Sequence, residues 1–155
     1  MKRWEKFRTF KERGEWVELV FMAAAALHGY HVLQPWGECL EYDVGIERNG
    51  KLLRVQVKSS TRQAGVGYCC QLHRNGSVKE PYSLERVDFF AAYIIPVGVW
   101  YLIPAVVILK PPRRVKIRLC PTPDGGADYK YEHYREAWGL LAKDGRELSR
   151  QRTHP

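Results

Sequence analysis

The 155-residue sequence contains no uninterrupted apolar run long enough to span a membrane. Its longest apolar stretch, residues 87–109, is broken by Asp88, Pro96, Gly98 and Pro104, a pattern typical of buried strands. The first residues are charged throughout and lack the apolar core of a secretory signal peptide. We therefore expect a cytoplasmic protein that is not bound to a membrane.

Motifs for soft metal ions are absent as well. The cysteines, Cys39, Cys69, Cys70 and Cys120, form no Cys-x-x-Cys pair, and the histidines lack the His-Glu-x-x-His spacing. A structural zinc site and a disulfide scaffold are therefore not expected.

Acidic residues are the charged class in short supply. The sequence has 17 Asp and Glu against 25 Lys and Arg, which gives a net charge of +8 and favours a polyanionic partner such as nucleic acid. Apolar residues make up 45% of the chain, enough for one core, and no internal repeat divides it. We expect one domain over residues 1–145 and a polar tail at 146–155.

Residues 14–29 have the spacing of an amphipathic helix, with apolar residues at i, i+3 and i+4. Gly29 supplies a C-terminal stop. The expected buried stripe consists of Trp16, Leu19, Val20, Ala23, Ala24 and Leu27. A second helix is expected near residues 131–143.

The strand pattern is clearest around one turn. Residues 42–47 and 52–59 flank Asn49-Gly50, and an Asn-Gly pair between two strands is the strongest short-range signal for a hairpin. Further elements are expected as strands near 68–72, 89–95, 100–103 and 115–119, a turn or short helical step at 104–108, and polar loops at 74–80 and 121–128. This order predicts an α/β fold in which helices flank a mixed sheet.

The turn also predicts which residues face each other. With Asn49 and Gly50 as the loop, cross-strand pairing places Asp43 opposite Gln56. Because side chains alternate along a strand, Gln56 and Lys58 share one face, and the valines between and beside them take the face toward the core. We therefore expect Asp43, Gln56 and Lys58 to lie together.

These side chains are suited to phosphodiester cleavage. A hard cation such as Mg²⁺ prefers oxygen ligands, which Asp43, the side chain of Gln56 and the backbone carbonyl of Val57 could supply. The cation would polarise the phosphate and lower the pKa of a bound water, while Lys58 would orient that water or offset transition-state charge. A solvated hairpin face is the alternative interpretation.

The same region resembles the PD-(D/E)XK nuclease superfamily. The resemblance is carried by Glu18, Gly29-Tyr30, Pro35, Tyr42-Asp43 and Arg54-Val55-Gln56-Val57-Lys58-Ser59. In the family pattern a helix carries a Glu, an Asp follows about one strand later, and the next strand carries (D/E)XK. The sequence is most similar to the branch that holds group I intron homing endonucleases and archaeal Holliday junction resolvases. The resemblance covers approximately residues 10–108 and leaves the C-terminal third unmatched.

The sequence departs from this pattern at two positions. Gln56 replaces the usual acid, which removes a negative charge and should weaken cation binding, although the intron-endonuclease branch itself has Gln there. Tyr42 replaces the Pro that usually precedes Asp43. The first departure leaves open a non-catalytic relative that keeps the fold and binds DNA.

The resemblance implies a restriction-endonuclease-like fold and a DNA endonuclease that uses Mg²⁺, with Mn²⁺ as a substitute. It adds Glu18 as a catalytic residue beside Asp43, Gln56 and Lys58; Glu15 could project from the same face but fits the first turn of a helix. Double-stranded DNA cut by a homing-type enzyme is the first expectation, and branched DNA cut by a junction resolvase is the alternative. Cutting two strands symmetrically implies a homo-oligomer, a dimer or a tetramer.

Several residues near the hairpin are candidates for DNA contact. Arg54 and Arg62 could bind phosphate by charge, and Ser59 and Ser60 could donate hydrogen bonds to it. Other basic residues cluster at 2–13, 113–118 and 146–152.

Overall fold

The chain builds two sheets, with one long helix before the first strand and one short helix before the last. The computed structural model describes residues 2–74, 80–121 and 129–143. In chain order the helices and strands are α1 (Phe10–Leu27), β1 (His31–Leu33), β2 (Val44–Arg48), β3 (Lys51–Ser60), β4 (Gln63–Ala64), β5 (Gly67–Gln71), β6 (Phe89–Ile94), β7 (Val99–Pro104), α2 (Ala105–Leu109) and β8 (Lys116–Leu119). Short 3-10 helices cover Arg3–Lys6, Ile95–Val97, Tyr129–Tyr134 and Trp138–Ala142.

Helix α1 starts earlier than the apolar spacing predicts. The Thr9 hydroxyl accepts a hydrogen bond from the Glu12 amide at 3.1 Å, and the Glu12 carboxylate accepts one from the Arg8 amide at 2.7 Å. The first bond satisfies an amide that the first turn of a helix leaves without a partner, and the second ties the residue before the cap to that turn, so the helix begins at Phe10. The predicted end is confirmed, because Gly29 follows the helix with a left-handed φ of +82°.

The buried face of α1 differs from the predicted stripe. The predicted residues that pack at the edge of the core are Trp16, Val20 and Ala24. The predicted residues that are exposed are Leu19, Ala23 and Leu27. The fully buried residues are Val17, Phe21 and Ala25. Because α1 is apolar around most of its circumference from residue 16 onward, spacing alone could not identify the face that the sheet covers.

The predicted hairpin is confirmed together with its register. Asn49 and Gly50 have φ angles of +50° and +73°, as a two-residue type I′ turn requires. Gly45 pairs with Arg54, the pairing that this turn predicts. Strand β3 is ten residues long and continues well beyond its pairing with Val44, the first residue of β2, and its second half pairs with β6.

The central sheet has the order β1-β2-β3-β6-β7 and is mixed, as predicted. Strands β3 and β6 are parallel, and the other neighbours are antiparallel. Strand β1 was not predicted, because three residues are too few to show an alternating pattern.

The second sheet, β4-β5-β8, was not predicted as a separate unit. It packs with α2 against one face of the central sheet, whereas α1 packs against the other face. Gln56 and Lys58 lie in register with Phe90 and Ala92, and both of these residues belong to the core beneath the second sheet. The polar face of the hairpin is therefore directed toward protein rather than solvent.

The helix predicted near residues 131–143 is wrong in type, because two 3-10 helices occupy this segment. Glu136, between them, has a left-handed φ of +49°. Its carboxylate accepts hydrogen bonds from the Trp100 amide at 2.7 Å and from Nε1 of Trp138 at 2.8 Å, and its amide donates to the Trp100 carbonyl at 2.8 Å. The segment thus covers the edge of β7 instead of continuing a helix.

The helical step predicted at 104–108 is confirmed as α2. Most of the predicted loops at 74–80 and 121–128, and all of the predicted tail at 146–155, lie outside the described residues. The domain boundary at residue 145 therefore stays a prediction. Among the described helices, none is long and apolar enough to cross a membrane.

Candidate active site

Asp43, which directly precedes β2, is tied to β3 by three hydrogen bonds. Its amide donates to the Val55 carbonyl at 3.0 Å and so extends the hairpin ladder. Its Oδ2 accepts from the Val57 amide at 2.8 Å and from Nε2 of Gln56 at 2.6 Å. The structure therefore brings Asp43 and Gln56 into contact, and the main chain of β3 fixes the position of the carboxylate.

Gln56 is only 6% exposed, and its bond to Asp43 satisfies the buried amide. Burial raises the pKa of Asp43, while the Val57 amide, the Lys58 charge and the Gln56 amide oppose that rise. A neutral amide at position 56 avoids a second buried charge against the Asp43 carboxylate.

Lys58 extends from β3 on the face of the central sheet that the second sheet covers. Its Nζ lies 3.4 Å from the His73 carbonyl oxygen and 5.0 Å from the centre of the Tyr82 ring. Burial lowers the pKa of Lys58, whereas the nearby Asp43 and Glu18 carboxylates raise it. The ammonium group is therefore held by protein contacts while it faces two acids.

Glu18 approaches the site from α1. The pKa of Glu18 is raised to about 7, first by burial and then by the charges of Asp43 and Glu15, while Lys58 opposes the rise. Residue 18 follows the buried Val17 by about 100° around the helix, so it lies at the edge of the packed face. The carboxylate can then face Asp43 and Lys58 although α1 covers the opposite side of the sheet.

A cleft of about 600 Å³ opens between the first half of α1 and the segment from Gln34 to Asp43. Both Glu15 and Glu18 line this cleft, together with Asp43. Glu15 is exposed, whereas Glu18 is partly buried. A phosphate could approach the carboxylates from solvent along this cleft.

The atoms that could ligate a metal ion here are oxygens: the carboxylates of Glu18 and Asp43, the side-chain oxygen of Gln56 and the backbone carbonyl of Val57. In this structure the amide nitrogen of Gln56, not its oxygen, contacts Asp43. In the parts of the chain that are described, no three or more His, Cys, Asp or Glu side chains form a metal-binding group. The residues present therefore fit a hard divalent cation that keeps several water ligands, rather than a fully protein-enclosed metal.

Two residues beside the site elements were not identified from the sequence: Tyr82, next to Lys58, and Arg13, at the end of β3. Nη1 of Arg13 lies 3.4 Å from Oγ1 of Thr61. Its Nε is buried and has no hydrogen-bond partner among the residues that are described, and burial lowers the pKa of Arg13. The basic cluster at 2–13 contains Arg13, but only the early start of α1 brings it beside the end of β3.

Arg54, predicted to contact DNA, is already engaged within the protein. Its Nε and Nη2 donate to the two carboxylate oxygens of Asp88 at 2.9 and 3.0 Å, and its Nη1 donates to the Glu85 carbonyl. These contacts join β3 to the segment before β6 and occupy most of the guanidinium donors.

The other predicted DNA contacts differ in exposure. Ser60 is buried, and its hydroxyl donates to the Cys69 carbonyl at 2.7 Å. Ser59 is partly buried, and Arg62 is exposed. Arg62 is thus the most accessible of the four.

Comparisons with known proteins support the family resemblance that the sequence carries. A model of the PD-(D/E)XK endonuclease family matches residues 9–140, well beyond the region of the sequence resemblance. The solved structure of I-Ssp6803I, a bacterial homing endonuclease, is similar at 27% identity with a TM-score of 0.74, and the match covers 94% of this chain and 99% of that one. A search of curated proteins gave no significant match. Enzymes of this family generally use divalent metal ions. The chain therefore belongs to the PD-(D/E)XK endonuclease family, as the hairpin and its neighbouring helix indicated.

Proposed function

We propose that this chain is a metal-dependent DNA endonuclease with Glu18, Asp43, Gln56 and Lys58 as its site. The observation that supports this most strongly is the pair of hydrogen bonds from Gln56 and Val57 to Asp43, beside the Lys58 ammonium. The arrangement joins an acid, an amide and a cation, and the acid lines an open cleft. Membership of an endonuclease family supports phosphodiester hydrolysis as the reaction.

Mg²⁺ is the cation that this oxygen-rich site suits best, and we expect Mn²⁺ to substitute for it. Asp43 would hold the ion with the side-chain oxygen of Gln56 and the Val57 carbonyl. When bound, the ion would polarise the scissile phosphate and lower the pKa of a bound water.

Lys58 would supply positive charge from the chain itself. Its ammonium, held near the His73 carbonyl and the Tyr82 ring, faces the cleft acids. In that position it would donate a hydrogen bond to a phosphate oxygen as negative charge develops in the transition state. A partly buried cation stabilises such charge more strongly than one in bulk water.

Glu18 would orient the attacking water. Because its pKa is raised to about 7, the carboxylate can gain or lose a proton near neutral pH. It would hold the water by accepting a hydrogen bond when it is deprotonated.

For the substrate we propose double-stranded DNA, cut in the manner of a homing endonuclease. The similar structure of I-Ssp6803I is that of a bacterial homing endonuclease and aligns over nearly the whole of both chains. No feature of the described residues favours a four-way junction instead. Among the predicted DNA contacts we keep Ser59 and Arg62, and we set aside Arg54 and Ser60 because internal partners occupy them.

We also propose a homo-oligomer, a dimer or a tetramer, so that two sites can act on the two strands. Leu19, Ala23 and Leu27 follow one another along an exposed line of α1, and such an apolar line is suited to contact with another copy.

The proposal can be tested by incubating the protein with Mg²⁺ or Mn²⁺ and either a pool of random duplex sequences or a four-way junction. We expect cleavage of duplex members of the pool and a loss of about a hundredfold or more in Lys58→Met. The control, Lys51→Met, changes an exposed lysine at the far end of the same strand and should cut like wild type. Cleavage of the junction alone would instead identify a resolvase. DNA binding without any cleavage would identify a non-catalytic relative.

A further inference from the structure

The outer face of the second sheet carries a groove of about 480 Å³, which we call the outer groove. Its five basic residues are Arg62, Arg114, Lys116, Arg118 and Lys130. No described residue that lines it is acidic. The alternation of β8 explains this face, because Ile117 and Leu119 enter the core while Lys116 and Arg118 point outward.

A buried hydroxyl adds a directional donor to this charge. Tyr131 lines the outer groove, is only 5% exposed, and its hydroxyl is buried without a hydrogen-bond partner among the described residues. Burial raises the pKa of Tyr131, and the Arg114 guanidinium lowers it, so the ring and the cation are close enough to interact. A buried polar group left without a partner is unfavourable unless a ligand completes it.

Hydrogen bonds connect the outer groove to the end of β3, the strand that carries Gln56 and Lys58. The Ser60 hydroxyl at the end of β3 donates to the Cys69 carbonyl at 2.7 Å, and the Cys69 amide donates to the Arg62 carbonyl at 3.0 Å. Arg62 lies four residues after Lys58, so their backbones are at most about 14 Å apart. Along one strand of B-DNA, phosphates are spaced by about 3.4 Å of helix axis, so this limit corresponds to about four steps at most.

We infer that the outer groove binds backbone phosphates of duplex DNA on one side of the cleavage site. Lys116, Lys130 and Arg62 supply charge, and the Tyr131 hydroxyl donates a hydrogen bond to a phosphate oxygen. The inference rests on the proposed function for its choice of DNA as the ligand. A second copy of this chain, which carries a net charge of +8, is a poor occupant for a groove lined with cations.

The test uses the full-length protein without divalent cations and a random-sequence duplex of roughly 40 base pairs, because phosphate contacts do not depend on sequence. Affinity is measured by fluorescence anisotropy over a range of salt concentrations. The variant is Lys116→Ala/Lys130→Ala, in which both changed residues are exposed. The control is Arg48→Ala/Lys51→Ala at the hairpin turn, which removes equal charge at the other end of β2 and β3.

We expect the groove variant to bind about tenfold or more weakly and to lose about 1.8 from the slope of log affinity against log salt, which corresponds to two phosphate contacts. The control should keep the wild-type slope. Tyr131→Phe should bind several times more weakly with an unchanged or higher melting temperature, whereas a purely structural hydroxyl would lower the melting temperature. Equal slopes for wild type and the groove variant, or equal losses in the groove variant and the control, would overturn the inference.

Cleavage of the same DNA, assayed in parallel with Mn²⁺, separates this inference from the proposed function. If wild type cuts DNA and the groove variant binds and cuts like it, the groove assignment fails and the nuclease stands. If wild type does not cut but the groove variant loses affinity selectively, the groove assignment stands and the nuclease fails. A change in oligomer mass without a change in affinity would identify the groove as a subunit contact and would also overturn the inference.

Discussion

Gln56 determines how much negative charge the candidate site carries before a cation binds. Its amide donates to Asp43 at 2.6 Å, so position 56 is a hydrogen-bond donor to the acid rather than a second acid. Asp43 and Gln56 can therefore be buried together when no metal is bound, because a neutral amide does not repel the Asp43 carboxylate. For the same reason, Gln56 attracts a cation less strongly than a carboxylate at this position would.

The substitution Gln56→Glu tests this balance. Without metal at pH 8 it places two buried carboxyl groups in contact, and we expect the free energy of unfolding to fall by about 2 to 3 kcal/mol. With Mg²⁺ we expect a larger gain in melting temperature than wild type shows, because the added charge strengthens binding to the native state. Gln63→Glu, at an exposed position, serves as the control. An equal response to Mg²⁺ in Gln56→Glu and wild type would contradict this assignment of the cation site.

The raised pKa of Glu18 makes a separate prediction about stability. A carboxyl with a pKa of 4.5 when unfolded and about 7 when folded binds more protons in the native state, so wild type loses stability as pH rises through this window. Glu18→Gln lacks this loss. Without metal, it should be more stable than wild type at pH 8 by on the order of 1 kcal/mol, reduced from the full linkage value because the group is partly solvated.

Urea unfolding in EDTA at pH 4.5, 6 and 8 measures this effect. The difference between Glu18→Gln and wild type should grow with pH and should be smallest at pH 4.5. A difference that stays constant across these pH values would show that Glu18 titrates normally.

At the scale of elements, β3 connects the hairpin to the parallel strand β6. The Arg54 guanidinium bonds to both carboxylate oxygens of Asp88, and the Arg54 amide donates to the same carboxylate at 2.7 Å. The Asp88 amide in turn donates to the Arg54 carbonyl at 2.9 Å. These bonds fix the start of the parallel pairing of β3 with β6. That pairing places Gln56 and Lys58 on the face that the second sheet covers.

Arg54→Met should therefore lower the free energy of unfolding by about 1 to 3 kcal/mol, because it leaves the Asp88 carboxylate without its ionic partner. Arg48→Met, on the neighbouring strand, should change it by less than about 0.5 kcal/mol. Denaturant unfolding of both variants measures the difference. Reduced DNA affinity in Arg54→Met with unchanged stability would instead restore Arg54 as a DNA contact.

The local part of this architecture could be predicted from sequence, and the long-range part could not. Asn49-Gly50 requires a turn with positive φ at both residues, and that turn alone determined that Gln56 lies against Asp43. The contacts of Lys58 come from His73 and Tyr82, which no local pattern brings to β3. Likewise β5 pairs with β8, a strand more than forty residues away in sequence. This pairing forms the sheet that covers the polar face of the hairpin, which local sequence alone could also assign to solvent.

The C-terminal segment shows the same limit. Its apolar spacing predicts a helix, yet Glu136 takes a left-handed conformation and binds Trp100 and Trp138. Here tertiary hydrogen bonds to an edge strand override local helical spacing. The 3-10 geometry depends on hydrogen bonds to Trp100, a partner that local sequence does not identify.

At the scale of the whole molecule, two apolar cores lie on either side of the central sheet, and the cleft and the outer groove are near the same end of β3. One chain thus offers a single candidate site in its described residues, whereas a duplex has two strands to cut. Assembly of more than one copy follows from the proposed function.

We predict that light scattering at micromolar concentration gives the mass of a dimer or a tetramer. Leu19→Lys/Leu27→Lys should shift this mass toward that of the monomer, because it places charge on the exposed apolar line of α1. Val66→Lys changes an exposed apolar residue in a different region and should keep the wild-type mass. A wild-type mass equal to that of the monomer would contradict the proposed assembly. An oligomeric mass that does not change in Leu19→Lys/Leu27→Lys would place the subunit contact elsewhere.

The central claim is that Asp43 holds the cation that cleaves DNA, and a metal titration of cleavage in wild type and Asp43→Asn tests it most directly. We predict that wild type cuts the duplex pool with saturable dependence on Mg²⁺ or Mn²⁺. Asp43→Asn should bind the same DNA equally well and cut it about a hundredfold or more slowly at every metal concentration. Cleavage by wild type that needs no divalent cation, or equal cleavage by Asp43→Asn, would contradict the account.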